Sequence, residues 1–502
     1  MTVSGVSSNI APLIQSALDI NKQLADLQRQ LGSGQKSDTY AGLGSQSGIA
    51  VALNAQLSAI KSFDDTMTNA GTSISIQQAV LQQIAKIGNA VQSSTTQASY
   101  AIDGTGQTTS QKTAQSQLDQ VLSLLNTQGG NGYLFSGSGL NQPSVDTADH
   151  ILNGNGAQAG LKQVIAERNK ADLGADGLGR LVIPAAAGTT VAVNEDAAAS
   201  SPFGLKLAGI NSTLTGATVT GPTGSPASIT VDLGATNPNN GDTITYTFSL
   251  PDGTSQTLRL QATTSAPPGP NQFTIGATPA ATAANLQAAL TAGVSNIGST
   301  ALSAASAMAA SNNFFDDPPR RVSGSLFTAT ALVDGTSANT VSWYTGEDGA
   351  GSARSTATAR IDPSTTVSYG TRANEQGIRW IVQNIAALAA TSYSPSDPNA
   401  SASYAALNSR VYSGLGVPAG IQNITDIESS LASAQTAMAS TQSQHQQTSN
   451  MLTTMQQSIE GVDINQVGAQ ILSLQTSLSA SLSTTARMAS LNLLNYLSPV
   501  TG

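Results

Sequence analysis

The chain has 502 residues, of which 10% are charged, 4% aromatic and none cysteine. Its 29 acidic against 20 basic residues leave a net charge of −9. That sign repels phosphate backbones, and with no polybasic run it gives no hold on an anionic membrane. Without cysteine, disulfides, thiolate nucleophiles and thiolate metal sites are excluded.

A chain this long holds about two to four domains. The dominance of Ala, Ser, Thr, Gln and Gly suits long helices with thin apolar seams, and Gly/Thr-rich β domains, better than one thick core. Met1 to Leu18 lacks the basic start of a secretory signal. No run of 18 apolar residues is long enough to span a bilayer. Read alone, these features predict a cytoplasmic chain; an extracellular location implies export by a route that needs no cleaved signal.

From the N-terminus, Ile10, Leu13, Ala17, Ile20, Leu24, Leu27 and Leu31 step by alternating threes and fours, the seam of a coiled-coil helix. Pro12 is expected at the first turn, where its missing N–H costs nothing. Gly32-Ser33-Gly34 stops this helix. After a polar loop the spacing resumes at Ile60, Phe63, Met67, Ala70, Ile74, Gln77, Leu81, Ile84, Gly88 and Val91. A third helix runs through Leu118, Val121 and Leu125 to the turn-rich Gly129-Gly130-Asn131-Gly132.

The middle changes period. Ile244, Tyr246, Phe248 and Leu250 alternate with polar residues, Pro251-Asp252-Gly253 turns the chain, and Leu258 and Leu260 alternate again, which predicts a β-hairpin. Strands are predicted at Ile229–Leu233, Phe273–Ile275, Leu326–Val333 and Val341–Tyr344. Helices are predicted near Ala281–Val294 and through Ile378, Ile381, Ile385 and Leu388. Thr220–Pro226 and Ala266–Pro270 have the composition of loops.

At the C-terminal end, Ile424, Ile427, Leu431, Ala434, Met438, Thr441, His445, Thr448, Leu452, Met455, Ile459 and Val462 keep the 3-4 step without a slip. A helix over that span is roughly 55 Å long. Gly461 suits its C′ position. Asp463 and Gln466 form an N-cap and N3 pair for a last helix, which carries Val467, Ile471, Leu474 and Leu478 towards Leu494 and Leu497. The predicted class is α+β: a long antiparallel coiled-coil stem from both termini with an inserted β-rich region. The expected divisions are 1–140 (N-terminal stem), 150–350 (outer insertion), 372–416 (helical return) and 418–502 (C-terminal stem).

These seams are short of large residues, with Thr441, His445 and Thr448 successive on one of them. So little apolar area barely offsets the ordering entropy of a lone bundle. Neighbouring copies burying the remaining stripes would complete the core. The plainer alternative is an intramolecular bundle that is merely polar.

Catalytic and ligand signals are weak beside this. Gly154, Gly156 and Ala159 spell GxGxxA, but the polar Asp146–His150 is no strand, so a turn before a helix is the expected structure. Gly34-Gln35-Lys36-Ser37 lacks the spacing of a P-loop, and no GxSxG elbow occurs. His150 and His445 are the only histidines a Ser-His-Asp triad could use. His445 sits in the seam, where a polar residue fixes register. Asp64-Asp65 and Asp316-Asp317 need no cation as solvated charges. Asn211-Ser-Thr213 and Asn423-Ile-Thr425 fit the N-glycosylation pattern, which recurs by chance in such a composition. No catalytic, cofactor or metal residue is assigned.

The ends resemble a known family. Leu27-Gln-Arg-Gln-Leu31-Gly-Ser-Gly34 resembles the flagellin N-terminal pattern, a helix closed by a Leu-x-Ser/Thr-Gly turn. The run LSLQTSLSASLSTTARMASLNLLNYL after Asp463 resembles the flagellin C-terminal helix. The loop Lys36–Leu43 keeps Ala-Gly-Leu but departs from the family in lacking its paired Asp. Within the family, Asn131-Gly-Tyr-Leu-Phe-Ser-Gly137 and Leu491-Asn-Leu-Leu-Asn-Tyr-Leu497 look like segments of hook–filament junction proteins, the hook-associated branch. The resemblance implies a non-enzymatic, secreted flagellar subunit without cofactors. It implies export unfolded through the flagellar type III apparatus with a chaperone, and assembly with itself and other axial proteins. A filament flagellin is the close alternative. A surface adhesin acting through the outer region is an alternative of another class.

Overall fold

The computed structural model describes residues 7–96, 99–130, 132–197 and 200–496, and for 7–10 and 491–496 the helical backbone alone. In chain order the helices are α1 (Ser7–Ser33), α2 (Ser47–Thr96), α3 (Thr109–Leu125), α4 (Ala148–Asn153), α5 (Leu161–Leu173), α6 (Pro279–Ile297), α7 (Ser303–Phe314), α8 (Gln376–Ala390), α9 (Ala400–Leu415), α10 (Ile424–Glu460) and α11 (Ile464–Tyr496). Strands fill the middle of the chain, so the class is α+β. The chain up to Asn69, Arg360–Val367 and the chain from Thr436 make one compact unit; Ala70–Ala359 and Ser368–Gln435 make the second. Helices α2 and α10 contribute to both.

In the first unit α1 and α11 pack along each other. Gly34, at φ 68°, closes α1, its N–H on the Gln30 carbonyl at 2.8 Å. The chain then crosses the α10–α11 turn: Lys36 N–H donates to Glu460 O at 2.7 Å, and Val462 N–H to Gly34 O at 3.1 Å. The end of α1 thus lies beside the start of α11, which makes the pair antiparallel. Lys36 also places its ammonium on the Ser458 and Ile459 carbonyls, capping the negative end of α10. Asp463 caps α11 as expected, its carboxylate accepting from the N–H groups of Asn465 and Gln466.

Three expectations in this unit are corrected. Pro12 lies inside α1, beyond the first turn, so the helix forgoes the hydrogen bond its N–H would have made to the Ser8 carbonyl. Helix α2 starts at Ser47, not near Ile60, after a 3₁₀ turn at Tyr40–Gln46. Its seam continues upstream through Ala50, Leu53 and Leu57, where the small Ala50 hides the period from a reading that looks for large residues. The seam of α10 slips after His445: Met455 is 44% exposed and Thr448 is exposed, while Ser449 and Gln456 face inward. Both phases share His445, Leu452 and Ile459. Gln456 takes the inner place because its amide bonds Asn54 at 3.2 Å and Glu460 at 3.0 Å.

The second unit holds a short antiparallel pair, β1 (Gln128–Gly129) and β2 (Gly132–Tyr133), and two four-stranded sheets. One orders β3 (Leu181–Val182), β4 (Thr190–Glu195), β7 (Ser228–Asp232) and β6 (Thr218–Thr223) as β3-β4-β7-β6. The other orders β10 (Gln272–Thr274), β9 (Ser255–Thr263), β8 (Thr243–Ser249) and β5 (Lys206–Ser212) as β10-β9-β8-β5. The predicted hairpin is β8–β9, with Ile244 opposite Leu260, Tyr246 opposite Leu258, and Gly253 at φ 81° in the turn. Its inward residues Ile244, Tyr246, Phe248 and Leu260 join Leu286, Leu290 and Val294 of α6 in one core.

Elsewhere the strand expectations fail locally. Leu326–Thr328 is a 3₁₀ turn, and only Leu332–Asp334 is a strand, paired with Arg320–Val322. Val341–Tyr344 is no strand: it makes a single bridge, Tyr344 to Val145, although Val341 and Trp343 are both 1% exposed. Burial without alternation had imitated a strand. Thr220–Pro226 is in part strand β6. Helix α3 ends at Asn126, before the glycine run, because the Asn126 amide is committed to both polar groups of the Val145 backbone. Asn131 lies outside the described residues. Gly132 has no room for a Cβ, which would meet Leu140 at 2.6 Å, and Phe135 is fully buried.

Candidate assembly surface

Helix α11 has 33 residues and one charged side chain, Arg487. A helix facing water on all but one stripe normally carries many. Of its expected seam, Ile471 is buried at 8% exposure, as is Val467, while Leu474 and Leu478 are half-buried. On α1, Leu13, Ala17, Ile20, Leu24 and Leu27 are half-buried, and Leu31 is 40% exposed. Ile10, Leu494 and Leu497 have side chains outside the described residues.

A second apolar set lies off this seam. Ile14 and Leu18 on α1 and Leu472, Leu482 and Met488 on α11 are all at least 41% exposed, Leu472 reaching 67%. Sequence reasoning missed these residues because it sought one stripe per helix. The signal was present in the poverty of charge on α11. Two helices cannot enclose their own apolar residues on all sides, and this pair leaves both the flanks of its seam and a further face open.

The remaining seam residues sit differently. In the first unit Leu452 and Ile459 of α10 pack with Ala50 and Leu53 of α2. His445, 7% exposed, places Nδ1 2.9 Å from Asp64 and Nε2 4.0 Å from Asp362, with Phe63 beside its ring. Ile424, Ile427, Leu431 and Met438 are buried. Heavily buried, these α10 positions build the subunit.

The minor candidates resolve into structure. Gly154 and Gly160 bracket a turn between α4 and α5, too close for any Cβ, and Ala159 bonds the backbone of Asn339 and Val341. Asn423 caps α10 through Asp426 N–H at 2.9 Å, and Asn211 lies within β5. Among the described residues no three His, Asp or Glu side chains group to hold a metal, and no helix is long and apolar enough to cross a membrane.

Asp316 pairs with Arg379 at 3.0 Å, and Asp317 faces Asp348. Burial, then the hydrogen bond with Asp348, pushes the Asp317 carboxyl up to about 7. The folded chain therefore keeps this proton where an unfolded one, with its carboxyl at 3.8, has lost it. Its stabilising contribution is complete below that value and disappears as pH rises through about 7. Asp317→Asn is expected to flatten that decline, so the unfolding midpoint falls less from pH 6 to pH 8 than in the parent chain.

Residues 6–139 match the family model described as the bacterial flagellin N-terminal helical region. No curated protein matches the chain. The match supports a flagellar structural subunit, in agreement with the resemblance of the N-terminal end, and does not separate one axial role from another.

Proposed function

We propose that the chain is the hook–filament junction subunit of a bacterial flagellum, polymerising through α1 and α11. The observation that carries assembly is the exposed apolar set on that terminal pair, above all Leu472 and Leu482 on a helix with one charge. Contacts that place different faces of one subunit against each other generate rings or helical polymers, the geometry an axial structure needs. The seam residues Leu13, Ala17, Ile20, Leu24, Leu27, Leu31, Ile471, Leu474 and Leu478 serve the same contacts, with Ile10, Leu494 and Leu497 beyond them. Export proceeds unfolded through the type III apparatus with a chaperone, and a chain without cysteine suits that route. The junction assignment rests on the Asn131–Gly137 and Leu491–Leu497 resemblance; filament flagellin is the competing reading.

Immunogold labelling of intact cells, with antibody against 150–350, separates them. A single spot where hook meets filament is expected. Label along the whole filament makes the chain a flagellin, and unlabelled flagella overturn both readings.

A further inference from the structure

Asn131, Asn153, Asn155 and Asn240 each precede a glycine. Such a bond carries its own reaction: the glycine nitrogen attacks the carbonyl carbon of the asparagine side chain. Glycine, with no Cβ, leaves that approach the least hindered. The carbon must come within about 3–3.5 Å of the nitrogen and in line with it. A fold can prevent this by tying down either group. Asn131 lies outside the described residues, and the structure treats the other three differently.

Asn153, the last residue of α4, is held at both ends of its amide. Its Nδ2 donates to Asp149 at 2.7 Å, and its Oδ1 accepts from Lys162 Nζ at 2.8 Å. The Gly154 N–H is given to His150 O at 2.8 Å. Asn240 is tied in the same way: Oδ1 accepts the Thr264 N–H at 3.1 Å, while Gly241 N–H goes to Ala262 O at 2.9 Å. Asn155 differs. Its backbone closes a turn with Gln158 through two hydrogen bonds of 3.1 and 3.0 Å. Its side-chain amide and the Gly156 N–H have no partner among the described residues, and both residues are exposed. Gly156, at φ 60°, has open space where a Cβ would stand.

From this contrast we infer that Asn155 is a site of spontaneous deamidation, the one of these three that reacts in the folded chain. The Gly156 nitrogen gives its proton to hydroxide and bonds to Asn155 Cγ. The Cγ–Nδ2 bond breaks, ammonia leaves, and a succinimide closes. Water then opens the ring at either carbonyl, giving aspartate or isoaspartate. Both products add a negative charge. Isoaspartate also routes the main chain through the former side chain, lengthening it by one methylene, so the pairing with Gln158 is lost. Ala159 follows directly and bonds Asn339 O and Val341 N–H, which carries the disturbance to that segment.

The test is incubation of the full chain at mildly alkaline pH, followed by peptide mass spectrometry with electron-transfer fragmentation, which assigns the position and separates isoaspartate from aspartate. Asn155 is expected to gain about 1 Da roughly tenfold faster than Asn153 or Asn240, because their sites must first open locally. In urea at the same pH the three rates are expected to converge, since the hydrogen bonds that separate them are gone. In the isoaspartate fraction of the folded chain, amide exchange at Ala159 and Val341 is expected to quicken. An Asn155 that stays intact in the folded chain, a folded-chain rate at Asn153 or Asn240 equal to that at Asn155, or a difference in rate that survives urea overturns the inference. None of these outcomes touches the assembly reading, whose residues lie in the first unit.

Discussion

A Leu472→Asp subunit is expected to unfold at the same temperature as the parent and to fail to polymerise. Leu472 is 67% exposed in the single chain, so the substitution removes no contact on which the fold depends. Exposed changes of this kind usually move stability by under about 0.5 kcal/mol. In a polymer that buries this face, the loss is larger. Burying a leucine is worth about 1.5–3 kcal/mol, and an aspartate placed there loses hydration without gaining a partner, costing a further ~2 kcal/mol or more. A swing of about 4 kcal/mol raises the subunit concentration needed for polymerisation roughly a thousandfold. Neighbouring Ile471 supplies the contrast: at 8% exposure its aspartate variant loses monomer stability and assembly together. Thermal unfolding by circular dichroism, with sedimentation and electron microscopy of the polymer, separates the effects. Polymerisation of Leu472→Asp at the parental concentration would remove this face from the interface.

The arrangement of the ends was legible because a coiled-coil seam is a repeated signal, and each turn of α1 or α10 restates it. Single positions were not. The start of α2 was hidden by Ala50, which packs well because it is small but is invisible to a search for large apolar residues. The choice between Met455 and Gln456 could not be made from hydropathy, since it was decided by the amide partners Asn54 and Glu460 on two other turns. The hairpin β8–β9 was legible because alternation and turn chemistry agreed. The irregular path of Val341–Tyr344 was not, because a segment that buries Val341 and Trp343 is as apolar as a strand. The cleft walled by α7, α8 and α9 had no linear signature: Trp380, Gln383 and Asn313 come together only when α7 and α8 pack.

The largest loss of stability in the second unit is expected from Arg168→Met. Arg168 and Asp172 lie one turn apart on α5 with side chains 4% and 0% exposed, joined Nε to Oδ2 at 2.8 Å. Asp172 also accepts Gly204 N–H at 2.9 Å, and Arg168 donates to Pro202 O and lies 4.8 Å from the Phe203 ring centroid. The pair therefore pins the 202–204 segment as well as itself. Burial pushes the Asp172 carboxyl up, and the Arg168 charge is the chief force pulling it back. Removing the guanidinium strands a buried carboxylate, at a cost of about 3–5 kcal/mol. A group whose folded-state pKa is raised adds stability while protonated and loses it as pH rises through that pKa. Without Arg168 the pKa rises further, so the deficit is greatest at neutral pH and shrinks on acidification. Urea unfolding at pH 7 and pH 4.5 should show this as a midpoint difference that narrows at the lower pH. Arg168→Met with Asp172→Leu removes both charges, and recovers stability relative to the single variant because no buried ion is left unpaired. A single variant as stable as the double at pH 7 would mean that Asp172 is rehydrated when its partner goes, and that the pair holds the loop by shape rather than by charge.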